Sequence, residues 1–386
     1  MKTPVGLVTA ALAAAILLAV SFLIATSTRG EEPAFGSSAG ELEVRTIARG
    51  LVNPWALAFL PDGTMLVTER PGRMRIVTSE GQVSPPLKGV PEVWASGQGG
   101  LLDVAIDKSF AQNKTIYFCF AERTDGGGRT AVARAKLDAG NGRLDEVKII
   151  FRQQGPLSSG NHYGCRIAQA DDGNLFVTLG DHFAYRDQAQ SLGNHLGKVI
   201  RIGSDGSVPA DNPFAGRAGA RPEIWSYGHR NAQGLAIHPT SGELWEIEHG
   251  PRGGDEVNLI GKGKNYGWPV IGYGIDYSGA KIHDATAKDG MEQPHKYWVP
   301  SIAPSGMAFY TGKLFPKWDG SLFTGALRGA MLVRLTLNGH AVTSEERLLQ
   351  NLHERIRDVR QGPDGALWLL TDSSNGRVLR VAPVAK

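Results

Sequence analysis

The sequence predicts an all-β chain built as a six-bladed β-propeller behind an N-terminal export segment. Three observations carry this expectation. A turn followed by a strand-like run recurs six times, short strand-like runs are abundant while long helical periodicity is absent, and turn formers are frequent, with 50 Gly and 21 Pro among 386 residues. No triplet period accompanies the glycines, so the excess reflects tight turns rather than a collagen-like repeat. Apolar residues at 41% and charged residues at 20% supply a sizeable core and exclude intrinsic disorder.

The chain opens with Lys2 and an apolar run from Val5 to Ala25, followed by the polar stretch Arg29 to Glu32. This is an export segment. Its length suits either a signal cleaved between residues 25 and 36 or a retained N-terminal anchor that tethers the protein to a membrane. Residues 1–36 are therefore set apart from a catalytic domain at 37–386, expected in the periplasm or outside the cell. Only Cys119 and Cys165 are present; that compartment permits a disulfide, but two buried free thiols are the expectation from sequence.

The repeat sets the fold. Leu60-Pro61-Asp62-Gly63, Asp171-Asp172-Gly173-Asn174, His238 to Gly242, Trp318-Asp319-Gly320 and Gly362-Pro363-Asp364-Gly365 each precede a strand-like run, and Ile106-Asp107-Lys108 is a looser copy. Pro presets φ at the first turn position and Asp-Gly or Asn accepts the turn, so each copy reads as a hairpin corner. A mean spacing of about 57 residues exceeds the 40 to 50 of compact blades, which requires long loops in several of them. A pair of β-sandwiches is the architectural alternative. Ring closure would pair Glu43 to Ile47 with Arg377 to Val381 and hide the sheet edges. Two long loops, Ser204 to Glu223 and Tyr273 to Pro300, are expected to build one rim.

Net charge is +3 from 41 basic and 38 acidic side chains, which argues against a nucleic acid or strongly acidic partner. No HExxH and no paired CxxC occurs, so a zinc site is not expected. Polar phrases instead lie between the turns: GQGGLLDVA (97–105), SGNHYGCRI (159–167), YGHRNAQGLA (227–236), EHGPRGGDEVNLI (248–260), GKNYGWP (263–269) and RIRDV (355–359). The alternation Arg355-Ile356-Arg357 puts two guanidiniums on one strand face, suited to a planar anion.

Together and in this order, these phrases resemble the soluble quinoprotein sugar dehydrogenases, the aldose and glucose dehydrogenases that use pyrroloquinoline quinone (PQQ), over about Leu51 to Val381. The resemblance implies oxidation of an aldose C1 hydroxyl to a lactone, with His162 as general base and electrons passed to an external acceptor, a quinone or cytochrome. It implies that Arg230 and Asn231 belong to the quinone site, that Gln98 positions substrate or quinone, and that Arg328, Arg355 and Arg357 hold the tricarboxylate. It places the carbonyls of Gly250 and Pro251 on the Ca2+ that binds PQQ. A second Ca2+ would use Glu256, the Tyr266 carbonyl and Asp276, with the Gly272 carbonyl beside them. Two positions depart from relatives: Asn161 stands where they carry an acidic residue, and Val299 where the glucose enzymes carry Trp, which implies a more open sugar cleft. A metal-dependent propeller hydrolase, such as a lactonase, and a non-catalytic carbohydrate-binding propeller are the alternative readings.

Overall fold

The structure, a computed structural model, describes residues 34–385. Most of the expected export segment lies outside the described residues. Six antiparallel sheets follow one another around a ring. Blade 1 has three strands, Pro54–Phe59, Met65–Glu69 and Arg73–Val77. The next four have four strands each, and their innermost strands are Leu101–Ile106, Gly164–Gln169, Ala232–Ile237 and Pro304–Phe309. Blade 6 begins at Ile356–Gln361, continues through Leu367–Thr371 and Gly376–Pro383, and is completed by the N-terminal strands Gly40–Leu51 and Phe35–Ser37.

That last pairing is the predicted ring closure. Val44 faces Val381 and Arg45 faces Arg380, so the two ends of the described chain share one blade and no edge of the seam is left open. Each innermost strand packs against the innermost strand of the next blade, the sixth against the first. The second strands, MLVTE, LFVTL, LWEIE, LFTGA and LWLLT, are buried at every position. They lie between neighbouring blades and are covered on both faces, which is why they read as near-continuous apolar runs rather than strict alternation.

The repeated turns all join a first strand to a second, so they gather at one end of the ring. The looser copy after Ile106 carries an insertion, the short helix Phe110–Asn113, which stretches its spacing. Of the two long loops, 204–223 contains no strand, whereas the segment after Tyr273 ends in the strand Lys296–Trp298 that completes blade 4.

One sequence expectation is corrected. Cys119 and Cys165 are not free thiols: they are joined in a disulfide with Cα atoms 5.9 Å apart. Forty-six residues separate them in sequence, but Cys119 lies in the second strand of blade 2 and Cys165 in the first strand of blade 3, and packing of adjacent blades brings them within bridging distance. Thiol titration of the unfolded, unreduced protein should find no free thiol and, after reduction, two per chain; two before reduction would contradict the bond.

Candidate active site

The polar phrases sit opposite the turns, where the chain enters each innermost strand. Gln98 precedes Leu101, His162 precedes Gly164, Arg230 and Asn231 precede Ala232, and Arg355 precedes Ile356. All six inner hairpins have a register irregularity in the first residues of the inner strand. Such bulges turn side chains away from the ordinary pleat, and repeated six times they surround the axis with polar groups.

A cavity of about 440 Å³ opens there, lined by Gln98, Asn231, Arg355 and Arg357 together with Trp55, Gln233 and Asp372. Beneath it the ring centre is closed by ion pairs: buried Arg166 bonds Asp103 at 3.1 Å and Asp358 at 2.9 Å, and its guanidinium stacks 4.1 Å from the Trp55 ring. Arg355 and Arg357 share one carboxylate, Asp372, at 2.8 and 3.2 Å. Two guanidiniums against one carboxylate leave surplus positive charge, and among the described residues the buried Nε of Arg357 has no acceptor. An unmet donor on a mostly buried cation is costly, and an anionic planar ligand in this cavity would satisfy it. The structure does not bring Arg328 into this set. Its side chain is exposed, while the neighbouring Leu327 lines the cavity and offers its carbonyl to Arg355.

His162 directly precedes Tyr163 and Gly164, which line the cavity, and is itself buried, with Nδ1 2.7 Å from Asp181 Oδ1. Asp181 is fixed in turn by the Trp268 indole N–H at 2.8 Å and by the Phe183 backbone N–H at 2.8 Å. An ionised carboxylate accepts here, so Nδ1 carries the proton and Nε2 keeps its lone pair. Burial, followed by the Arg230 charge, pushes the imidazole below its ordinary value of 6.5, against the pull of Asp181. Burial alone would raise Asp181, but His162 and Arg230 hold it below the usual carboxylate range. The backbone is also shaped for this pair. His162, Cys165, His182 and Phe183 all have positive φ, a conformation that costs non-glycine residues about 1–3 kcal/mol each and clusters at functional sites. A Cβ on Gly180 would lie 1.9 Å from the His162 carbonyl oxygen, so only glycine lets the segment bearing Asp181 pass beneath the histidine. Gln98 accepts the His162 backbone N–H at 2.9 Å and Asn231 that of Gly164 at 3.2 Å.

Of the expected metal residues, Gly250, Pro251, Glu256, Tyr266 and Gly272 line one small cavity. Gly250 and Pro251 lie together in the loop after blade 4's second strand, and the Gly250 carbonyl accepts Arg230 Nη1 at 2.8 Å, so a cationic group already faces that carbonyl. Glu248 lines the same cavity with them. Asp276 does not join them; it lies 3.6 Å from Arg186 and lines a neighbouring cavity of about 310 Å³ with Asp181, Phe183 and Tyr277. Two carboxylates that sequence reasoning passed over, Glu246 and Glu248, complete the acidic group: with Glu256 they converge on the single amide of Asn258 at 3.3–3.4 Å. Donor atoms of His229, Glu246 and Glu248 lie within 4.8 Å of one another. Burial, then repulsion from Glu248, drives Glu246 and Glu256 well above the usual 4.5, and Glu246 Oε1 has no partner. Three carboxylates and one neutral amide make an oxygen-rich nest that fits a hard divalent cation.

The match to known families decides the identity. Residues 51–380 match the glucose/sorbosone dehydrogenase family model. The chain belongs to the glucose/sorbosone dehydrogenase family. It is 47% identical to the aldose sugar dehydrogenase YliI of Escherichia coli over 346 residues, 89% of this chain and 93% of the relative. The crystal structure of the E. coli soluble aldose sugar dehydrogenase in the apo-form superposes with a TM-score of 0.87, at 47% identity, over 89% of this chain and all of that one. A PQQ-bound aldose sugar dehydrogenase from Streptomyces coelicolor superposes with a TM-score of 0.71, at 29% identity, over 88% of this chain and 98% of that one. The activity class of this sugar dehydrogenase is thereby oxidoreductase.

Within this family member, the residues missed from sequence had readable signals. Trp245-Glu246-Ile247-Glu248 alternates, which places both carboxylates on one strand face, opposite Glu256 and Asn258 on the paired strand. Asp181 had no comparable signal, because nothing local ties it to a histidine nineteen residues earlier. The raised carboxyls of Glu246 and Glu256 make the acidic nest sensitive to pH. Groups whose carboxyls are raised in the folded state are stabilising when protonated and lose that contribution as pH rises through the raised values. Calcium binding requires them ionised, so adding Ca2+ should raise Tm by several degrees at pH 8 and by clearly less at pH 5. A thermal shift equal at both pH values, or absent, would remove the cation from this nest.

Proposed function

We propose that the protein is an exported, PQQ- and Ca2+-dependent aldose dehydrogenase that passes electrons to an external quinone or cytochrome. The observation that carries this reading is the His162–Asp181 pair beside a cavity whose wall holds Arg355 and an Arg357 Nε without an acceptor. PQQ-bound structure in a relative and the quinoprotein name of another, 30% identical, support the cofactor.

Bound PQQ supplies the hydride acceptor. The chain supplies everything else. Arg355 and Arg357 match its carboxylates, Asn231 and Gln98 fix the segments around it, and the cation nest stiffens the loop that carries Gly250 and Pro251. The neutral Nε2 of His162 takes the C1 hydroxyl proton as hydride leaves C1, so the aldose loses two electrons and two hydrogens and becomes the lactone. Asp181 stabilises the imidazolium that forms, and Arg230 stabilises negative charge nearby. The sugar approaches past Phe183, whose ring stands edge-on to His162 at 5.2 Å, and past Val299, which is 60% exposed and leaves the rim open.

His162→Ala should lower kcat by about 10²–10⁴-fold, the usual worth of a general base, while PQQ binding stays within about threefold. Retention of most activity would move the base elsewhere. Because only neutral His162 can accept a proton and its pKa is lowered, the acidic limb of kcat should fall below pH 6.5; a limb above that value would contradict the assignment. With the rim open at Val299, no single aldose should exceed the others in kcat/KM by more than about 100-fold, roughly 2.7 kcal/mol of discrimination.

A further inference from the structure

Lys198 opens the third strand of blade 3, Lys198–Ile202, and is fully buried. Among the described residues its ammonium forms no ion pair within bonding distance. Instead Nζ donates to the carbonyls of Gln188 at 3.2 Å, Ala189 at 3.0 Å and Leu196, which uses all three of its donors. These carbonyls belong to the eighteen-residue connection 180–197 between two hairpin strands, including the 3-10 turn Arg186–Gln190. Ordinary hairpin connections have two to five residues. A connection this long has little ladder to hold it, and the ammonium binds it from inside.

What hangs on that connection is the base's partner. Asp181 is its second residue and Phe183 follows, while Gln190 exchanges hydrogen bonds with Asn265 and donates to the carbonyl of Trp268, the residue that bonds Asp181. The Ala189 carbonyl also accepts the Gly228 N–H, and the Gly197 carbonyl the His229 N–H, so the segment carrying Arg230 and Asn231 is tied to the same node. We propose that Lys198, by fastening the segment that carries Asp181, is a positioning residue for the oxidation site. Its charge acts in a buried setting where screening is weak. The groups facing it are Asp181, which attracts it, and His195, whose Nε2 bonds Glu223 at 3.1 Å. Arg221 adds positive charge beside His195. Around His162 itself stand Asp181, Arg230, His182 and His249. Burial brings the ammonium down to about 7, while the three carbonyls favour its charged form.

The turnover part of this inference rests on the proposed dehydrogenase reading; the titration of His162 does not. The test uses Lys198→Met, which removes donors and charge, and Lys198→Gln, which removes the charge but keeps an N–H donor. In the cofactor-free protein labelled with 15N-histidine, with the His162 signal assigned by its loss in His162→Ala, loosening Asp181, which pulls the imidazole midpoint up, should lower that midpoint by at least about half a pH unit in both variants. In the PQQ-loaded protein the acidic limb of kcat should move down with it, and kcat should fall about tenfold or more in Lys198→Met with KM within about threefold. An unmoved His162 titration in either folded variant overturns the proposal. Failure of both variants to fold would overturn it as well, leaving Lys198 as a structural staple. A normal titration shift without dye reduction in any protein, wild type included, would instead count against the dehydrogenase reading alone.

Discussion

Pairing of Gly40–Leu51 with Gly376–Pro383 is the contact from which the rest of the architecture follows. A ring of sheets has no stable open form in water, because each blade's innermost strand leans on the next and an unclosed seam exposes two edges. Once the seam is shut, the six inner strands run in a common direction, their tight turns gather at one end and their entry segments at the other. The site is therefore a consequence of closure. Residues as far apart in sequence as Gln98, His162, Asn231 and Arg357 meet because each occupies a corresponding place at the head of its blade.

What the closed ring offers at that end is unusual for a protein interior. Ion pairs plug the centre, two arginines share one aspartate, three glutamates share one asparagine, and a histidine is kept neutral between an aspartate and an arginine. Each group is strained or under-partnered in its own way. An isolated domain would not gain stability from such an arrangement, since unmatched buried charge costs more than apolar replacement. The local costs become intelligible when the cavity takes an anion with arginine-compatible oxygens and the acidic nest takes a cation. The left-handed backbone at His162, His182 and Phe183 belongs to the same account: the surrounding blades hold residues in a conformation that aims the imidazole and its carboxylate at one another.

Much of this was legible in the sequence, and the reasons are physical. The turn Pro-Asp-Gly or Asp-Gly-Asn leaves a signature because few residues tolerate its dihedrals, so blade number and closure could be read directly. The alternation at Arg355 and Arg357 likewise carried the two guanidiniums that line the cavity. The pairing of His162 with Asp181, the bond between Cys119 and Cys165 and the separation of Asp276 from Glu256 are relations between blades or between loop tips. No local periodicity encodes such distances. Arg328 illustrates the converse: its place in the phrase GALRG is right for the rim, but one residue of register turns its side chain to solvent and leaves Leu327 facing the cavity.

The account stands or falls on what the cavity takes up. Titration of the cofactor-free, full-length protein with PQQ in the presence of Ca2+ tests it most directly, following dye reduction with a panel of aldoses. Saturation at one PQQ per chain, with aldose-dependent dye reduction that is lost on chelation, is the predicted result. A folded, β-rich protein that binds no PQQ, or binds it without oxidising any aldose, would contradict the account and return the cavity to another ligand.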